Sequence, residues 1–292
     1  MVGRRRRFAA VGVAIAILAA AGLAVAPAPL ATAASTIESF YAARGPWTIT
    51  SSNVVDGVGR PYRLVYPANL GAGGFQHPVV TWGNGTFATP DNYPGVLQQL
   101  ASWGFVVVAF ARDTTKSGLE MLAGAELMVA ANANPSSPFY QHIDTDSIGA
   151  LGHSQGAGGA VNATTKSDGL ITTVVPIALT RPLLVDPEGQ FDLSAVEVPA
   201  FFLGGGLDIL VAPPFTIRNA YDEVSGPAAV AILRGADHLT IQNSGGRFLG
   251  YLTAWLMYQL QDDPYARAAF VGQPPEINTN SAWRDQAERD LT

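Results

Sequence analysis

Ser154 lies in Gly152-His153-Ser154-Gln155-Gly156, a G-x-S-x-G pattern. The chemistry such a pattern can perform is attack of an activated serine hydroxyl on a carbonyl carbon. Residues 148–151 are a short apolar run suited to a buried strand, and small residues follow where a helix would start. A strand that reverses into a helix within a few residues holds the serine in a strained conformation, and glycines are needed where the two backbones nearly touch. The hydroxyl would then stand above the sheet edge, and the first N–H groups of the helix, beginning with Gln155, would be free to hold a developing oxyanion. Glycine is 31 of 292 residues, so the pattern alone could also be an ordinary glycine-rich loop. The partners of Ser154 decide between the two.

A serine needs a base to take its proton. The chain has four histidines. His77 and His142 precede the serine in loops leading into strands, which puts them at the amino end of a sheet. His153 adjoins Ser154, so its ring leaves the turn in another direction and is expected to pack, or to make one hydrogen bond, beside it. His238 alone follows Ser154, just after an apolar run ending near Leu233. In a chain order of serine, acid, histidine, the acid lies between them and holds the imidazole in the correct tautomer. Asp208 directly follows the buried run Phe201-Phe202-Leu203-Gly204-Gly205-Gly206 and is the expected acid. Asp237 is too close to His238 to face it, and Asp222 and Glu223 read as a solvated helix end. The second oxyanion donor is expected in Gly83-Asn84-Gly85-Thr86, where Gly85 would let the Thr86 N–H point inward.

The elements that must carry these residues follow from hydrophobic patterning. Residues 47–50 and 62–66 read as antiparallel edge strands. Residues 78–82, 104–110, 148–151, 174–178, 199–203 and 229–233 are nearly continuous apolar runs, as expected of strands covered on both faces. Helical patterns fill 94–103, 118–131, 156–165, 213–224 and 248–261, the last with Phe248, Leu252, Trp255, Leu256 and Leu260 on one stripe. The alternation predicts an α/β fold: one mostly parallel central sheet with helices on both faces and a site beyond the carboxyl ends of the strands. Residues 35–45 read as a loose lead-in and the tail from Gly272 as irregular. Residues 180–196 are short for a lid, so an open cleft is expected.

Composition narrows the function classes. Arg4 to Arg7, an uncharged Ala-rich run and Ala31-Thr32-Ala33 read as an export leader over residues 1–34, of the general or the twin-arginine type, followed by a single domain over 35–292. If the leader stays attached, the same run is long enough to anchor the chain in a membrane. Without residues 1–34, 13 basic side chains remain against 23 acidic ones, a net charge of −10 that disfavours nucleic acid and anionic membranes. With no cysteine, disulfides, thiol catalysis and cysteine-based metal sites are excluded. The expected partner is an ester substrate, small or polymeric, met by a secreted monomer.

Several segments recur in order along nearly the whole mature chain: Gly45-Pro46-Trp47-Thr48-Ile49, Tyr66-Pro67-Ala68-Asn69, residues 85–108, Ser136-Ser137-Pro138-Phe139-Tyr140, residues 152–156, Asp208 with Val211-Ala212-Pro213, and Ala254-Trp255-Leu256. In these the chain resembles the PET hydrolase and cutinase-like branch of the α/β-hydrolases, a branch close to chlorophyllase-type enzymes. The resemblance implies an α/β-hydrolase fold, a cofactor-free secreted carboxylester hydrolase, a Ser154, Asp208, His238 triad and an oxyanion hole from the Thr86 and Gln155 N–H groups. Polyester-cleaving members usually carry an aromatic ring, a methionine and a tryptophan where this chain has Thr86, Gln155 and Thr180-Arg181, and many carry a C-terminal cysteine pair that is missing here. The backbone donors survive those changes and the aromatic clamp does not, which leaves Phe87, Tyr93 and Thr180 as candidate substrate contacts. The same triad would also serve a peptidase or acyltransferase, and a non-catalytic binding protein could be built on the same scaffold.

Overall fold

Nine strands form one sheet in the order β1-β2-β4-β3-β5-β6-β7-β8-β9. They are β1 (Ile49–Val55), β2 (Pro61–Pro67), β3 (His77–Gly83), β4 (Val106–Phe110), β5 (Ile143–His153), β6 (Thr173–Ile177), β7 (Ala200–Gly205), β8 (Ala228–Leu233) and β9 (Trp283–Arg289). Strands β3 to β8 pair in parallel, while β1, β2 and β9 run antiparallel at the two margins. The computed structural model describes residues 36–113 and 115–292, which lie within one compact unit, 35–292. The leader, its cleavage box and the anchor alternative, all on residues 1–34, lie outside the described residues.

The parallel strands are apolar throughout because both faces are covered. Alternate residues feed two separate cores. On one face Val80, Val107, Leu151, Val175, Phe201 and Leu203 pack with α1 (Ile37–Ala42), α2 (Pro94–Ser102) and α6 (Phe248–Gln261). On the other, Val79, Val106, Val108, Ile148, Val174 and Phe202 pack with α3 (Leu119–Ala133), α4 (Gln155–Thr165) and α5 (Pro214–Glu223). The period-2 alternation of a strand performs this division.

Two expectations are corrected. Residues 37–42 form helix α1 where a loose lead-in was expected, and, after the short α7 (Pro264–Arg267), the tail from Gly272 that was expected to be irregular supplies α8 (Glu276–Thr279) and the last strand, β9. Long-range polar contacts make both possible. Glu276 accepts from the first N–H groups of α1, at Ile37 (2.5 Å) and Glu38 (3.1 Å). Buried Glu38 accepts from Arg247 (2.8 Å to Nε), Trp283 Nε1 (2.7 Å) and Asn280 Nδ2 (2.7 Å). Burial alone would raise its carboxyl pKa, but these donors hold it below the ordinary carboxylate range.

Strand β3 lies between β4 and β5, so the chain moves outward from β3 to β4 and then crosses back to β5. The loops after β3 and β5 therefore diverge at a switch point, where an open α/β sheet forms its crevice.

Candidate active site

Ser154 sits between β5 and α4 with φ 58° and ψ −121°, a region that L-residues rarely occupy. Its N–H donates to the Ile177 carbonyl (3.0 Å), which fixes the turn to β6. The flanking glycines are required by contact. A Cβ on Gly152 would press on the backbone of Gly156, and one on Gly156 would lie 2.6 Å from the Asn84 carbonyl oxygen. No larger side chain fits at Gly152 without moving the start of α4, or at Gly156 without moving the end of β3 and the loop after it.

The structure brings the expected base and acid to this serine. His238 Nε2 accepts from the Ser154 hydroxyl at 3.0 Å, and His238 Nδ1–H donates to Asp208 Oδ2 at 2.5 Å. The remaining oxygen, Asp208 Oδ1, accepts from the Val211 (3.2 Å) and Ala212 (3.1 Å) N–H groups. Burial alone would push the Asp208 carboxyl up, but the His238 hydrogen bond and the two backbone donors hold it below its ordinary value, so it stays anionic. A buried carboxylate held at both oxygens fixes one imidazole tautomer, with the lone pair of Nε2 facing the serine.

Thr86 and Gln155, the residues of the two expected oxyanion donors, line the same cavity as Ser154. Among the described residues, neither the Thr86 N–H nor the Gln155 N–H donates outside its own element. Gln155 starts α4, so its N–H is among those left free by helix geometry. Its side chain is turned away, donating to the Asp113 carbonyl. Asn84, fully buried, secures the other donor loop: its amide nitrogen donates to Phe110 O (2.8 Å) and Arg112 O (2.9 Å), and its oxygen accepts from Trp82 Nε1 (3.1 Å). Sequence reasoning passed over Asn84; the available signal was a polar residue between two glycines at the end of a buried strand.

A family model for PET hydrolase-like proteins (PETase) matches residues 19–288. The chain belongs to the PET hydrolase-like family. Among curated relatives, a bis(hydroxyethyl) terephthalate hydrolase of Streptomyces coelicolor is 27% identical over 279 residues, 89% of this chain and 85% of that protein. Cutinase 1 of Thermobifida cellulosilytica is 24% identical over 237 residues, 76% of this chain and 83% of its own length. A cutinase of Thermobifida fusca is 24% identical over the same number of residues, 76% of this chain and 72% of that one. The mostly parallel sheet with covering helices is the α/β-hydrolase fold expected of this PET hydrolase-like chain.

The candidate substrate contacts divide. Thr180 is buried beside the serine, its hydroxyl 3.4 Å from Ser154 Oγ, and it lines a cavity of about 290 Å3 that opens there. Phe87 is 89% exposed at the loop tip and does not line that cavity. Tyr93 is corrected: it is fully buried and cannot touch substrate. Its hydroxyl accepts from the Gly85 N–H (3.0 Å) and donates to His153 Nδ1 (2.9 Å), and His153 Nε2–H donates to the His238 carbonyl (2.8 Å). The directions follow because a carbonyl only accepts, which leaves Nδ1 as the acceptor. His153 thus makes two hydrogen bonds beside the elbow and ties the loop before Thr86 to the loop that carries His238. His77 and His142 lie at the amino end as expected, the His77 N–H donating to the His142 carbonyl at 2.8 Å.

Residues 180–196 contain no helix longer than three residues. They carry short turns at Pro182–Leu184, Pro187–Gly189 and Leu193–Ala195 and wall one side of the cavity through Leu184, Val185 and Phe191. Further large apolar side chains, Leu183, Leu207, Ile209, Leu210 and Leu239, are exposed on segments that follow the carboxyl ends of β6, β7 and β8. Clustered exposed apolar residues around a site mark a surface meant to meet an apolar ligand.

Proposed function

We propose that this protein is a secreted serine carboxylester hydrolase that cleaves hydrophobic esters through an acyl-enzyme. The observation that carries the reading is the unbroken line of hydrogen bonds from the Ser154 hydroxyl through His238 to Asp208, next to two unengaged N–H groups. The exposed apolar side chains around the cleft support a hydrophobic substrate, as do the curated relatives named for terephthalate ester and cutin hydrolysis.

Each group has one task. His238 Nε2 takes the proton as Ser154 Oγ attacks the ester carbonyl, and Asp208 stabilises the resulting imidazolium. The Thr86 and Gln155 N–H groups hold the oxyanion of the tetrahedral intermediate in a preformed geometry. His238 then returns the proton to the leaving alcohol, and a water activated by the same imidazole releases the acid. Nothing in this cycle calls on a cofactor. An export leader over residues 1–34 would place the hydrolase outside the cell, where N-terminal sequencing of the secreted protein checks its removal.

Purified Ser154→Ala protein is expected to lose roughly three or more orders of magnitude in kcat on p-nitrophenyl butyrate. Hydrolysis at the wild-type rate by that variant would refute the assignment.

A further inference from the structure

The cavity beside Ser154 is lined by Thr86, Gln155, Gly158, Val185, Phe191 and Lys116, among others, and by no residue of the segment 234–247 that carries His238. That one-sidedness identifies what it holds. The leaving alcohol must take its proton from His238 Nε2, so the alkoxy half of an ester lies on the His238 side, and the cavity receives the acyl half. This step rests on the hydrolase reading above.

Helix α4 is the floor and serves as a ruler. Gly158 lies roughly 6 Å and Asn162 roughly 12 Å along the axis from Ser154, at about 1.5 Å rise per residue. A Cβ on Gly158 would come 2.9 Å from the Phe191 ring, so the glycine leaves just enough space for that ring to form a wall. Gly158 is the last residue of α4 to line the cavity, which also reaches Lys116 and Asp186; Asn162 lies one turn further along the helix. The Asn162 side-chain amide donates to both the Lys116 (3.0 Å) and Gln190 (3.1 Å) carbonyls, drawing the two walls together. Lys116 Nζ then pairs with Asp186 Oδ2 (2.5 Å) and Glu188 Oε2 (3.2 Å) on the opposite wall. Pairs this exposed, with Asp186 51% and Glu188 77% accessible, add little to stability. Their consequence here is what a long acyl chain would touch: a methylene chain reaching Lys116 lies against charged, water-accessible groups and gains little of the burial that an apolar wall would give it.

We propose that Lys116, with Asp186 and Glu188, is the end wall of the acyl subsite and restricts the enzyme to esters of short, apolar acyl groups. The wall acts on acyl length only, because the leaving group lies on the other side of the serine.

The test compares p-nitrophenyl butyrate with p-nitrophenyl laurate, which share a leaving group. Wild-type kcat/KM is expected to fall steeply from butyrate to laurate. In Lys116→Ala the laurate-to-butyrate ratio of kcat/KM should rise about tenfold, the scale on which apolar pockets discriminate by a few methylenes. Lys116→Met, which keeps the bulk of the stem, should raise it less. The double variant Asp186→Asn, Glu188→Gln frees the lysine while leaving its own backbone contacts in place, and it should raise the ratio as well. Ratios within about twofold of wild type in both Lys116→Ala and the double variant would overturn the proposal. A wild-type protein without turnover of either ester would instead overturn the hydrolase reading itself, and the end wall with it.

Discussion

His153 and His238 have ring centroids 4.7 Å apart, yet they are prepared for opposite ends. His153 is 1% exposed and both of its nitrogens are occupied by neutral partners, the Tyr93 hydroxyl and the His238 carbonyl. Burial, reinforced by the neighbouring His238 ring, pushes its pKa down to about 3, so it remains a neutral strut. The His238 side chain is 19% exposed, has a carboxylate on Nδ1 and presents Nε2 to a hydroxyl. The residue type is the same and the distance small; the partners decide which ring can accept a proton. For His153, a hydroxyl and a carbonyl do not offset the cost of burying a cation, and no carboxylate touches the ring; His238 is hydrogen-bonded to one.

Substitutions can break that comparison, and the effects are expected to descend in order. His238→Ala should cost roughly 10^5-fold or more in kcat on p-nitrophenyl butyrate, since the base and the serine act as a unit. Asp208→Asn should cost roughly 10^4-fold by favouring the wrong tautomer, with KM changed far less. Tyr93→Phe should act more weakly. It leaves the Gly85 N–H and His153 Nδ1 buried without partners, so urea unfolding should record a loss of about 2 kcal/mol and kcat should fall by about tenfold as the donor loop loosens.

The smallest effect sharpens the contrast through pH. His153 and His77 both have pKa values lowered first by burial, so the unfolded chain binds protons that the folded one does not once pH drops below about 6.5. Stability should therefore fall with falling pH, by about 1.4 kcal/mol per pH unit for His153 over the range from 6.5 toward 3, with His77 acting in the same direction. The lowered carboxyl pKa values of Asp208 and Glu38 add loss in the same direction at more acid pH. In His153→Phe the slope of unfolding free energy between pH 6 and 5 should become shallower by about that single-group amount, measured by denaturant titration at each pH.

Legibility followed the range of the forces involved. The parallel strands announce themselves because both faces are covered and every residue is apolar, and the α6 boundaries are marked by its own stripe. Strand β9, Trp-Arg-Asp-Gln-Ala-Glu-Arg, reads as a solvated tail because an edge strand has charged side chains on its open side; Trp283, 1% exposed, is its one buried residue, with Ala287 packed against the other core. Helix α1, six residues long, is too short to stand on propensity and is held by Glu276 from the far end of the chain. At the site, chain order and a supply of four histidines were enough to bring Ser154, Asp208 and His238 into consideration together. The link from Gly85 through Tyr93 and His153 to the loop of His238 joins three separate segments, and no local pattern encodes it. For the same reason Tyr93 resembled a substrate contact in sequence and is a buried support in space.

The proposed chemistry requires above all that the Ser154 hydroxyl be activated by His238. Treatment of the folded protein with a fluorophosphonate, followed by peptide mass spectrometry, tests that directly. Stoichiometric adduct is expected on Ser154 of the wild type and none in His238→Ala; an unlabelled Ser154 in the folded wild-type protein, or equal labelling in the variant, would contradict activation of this serine by His238.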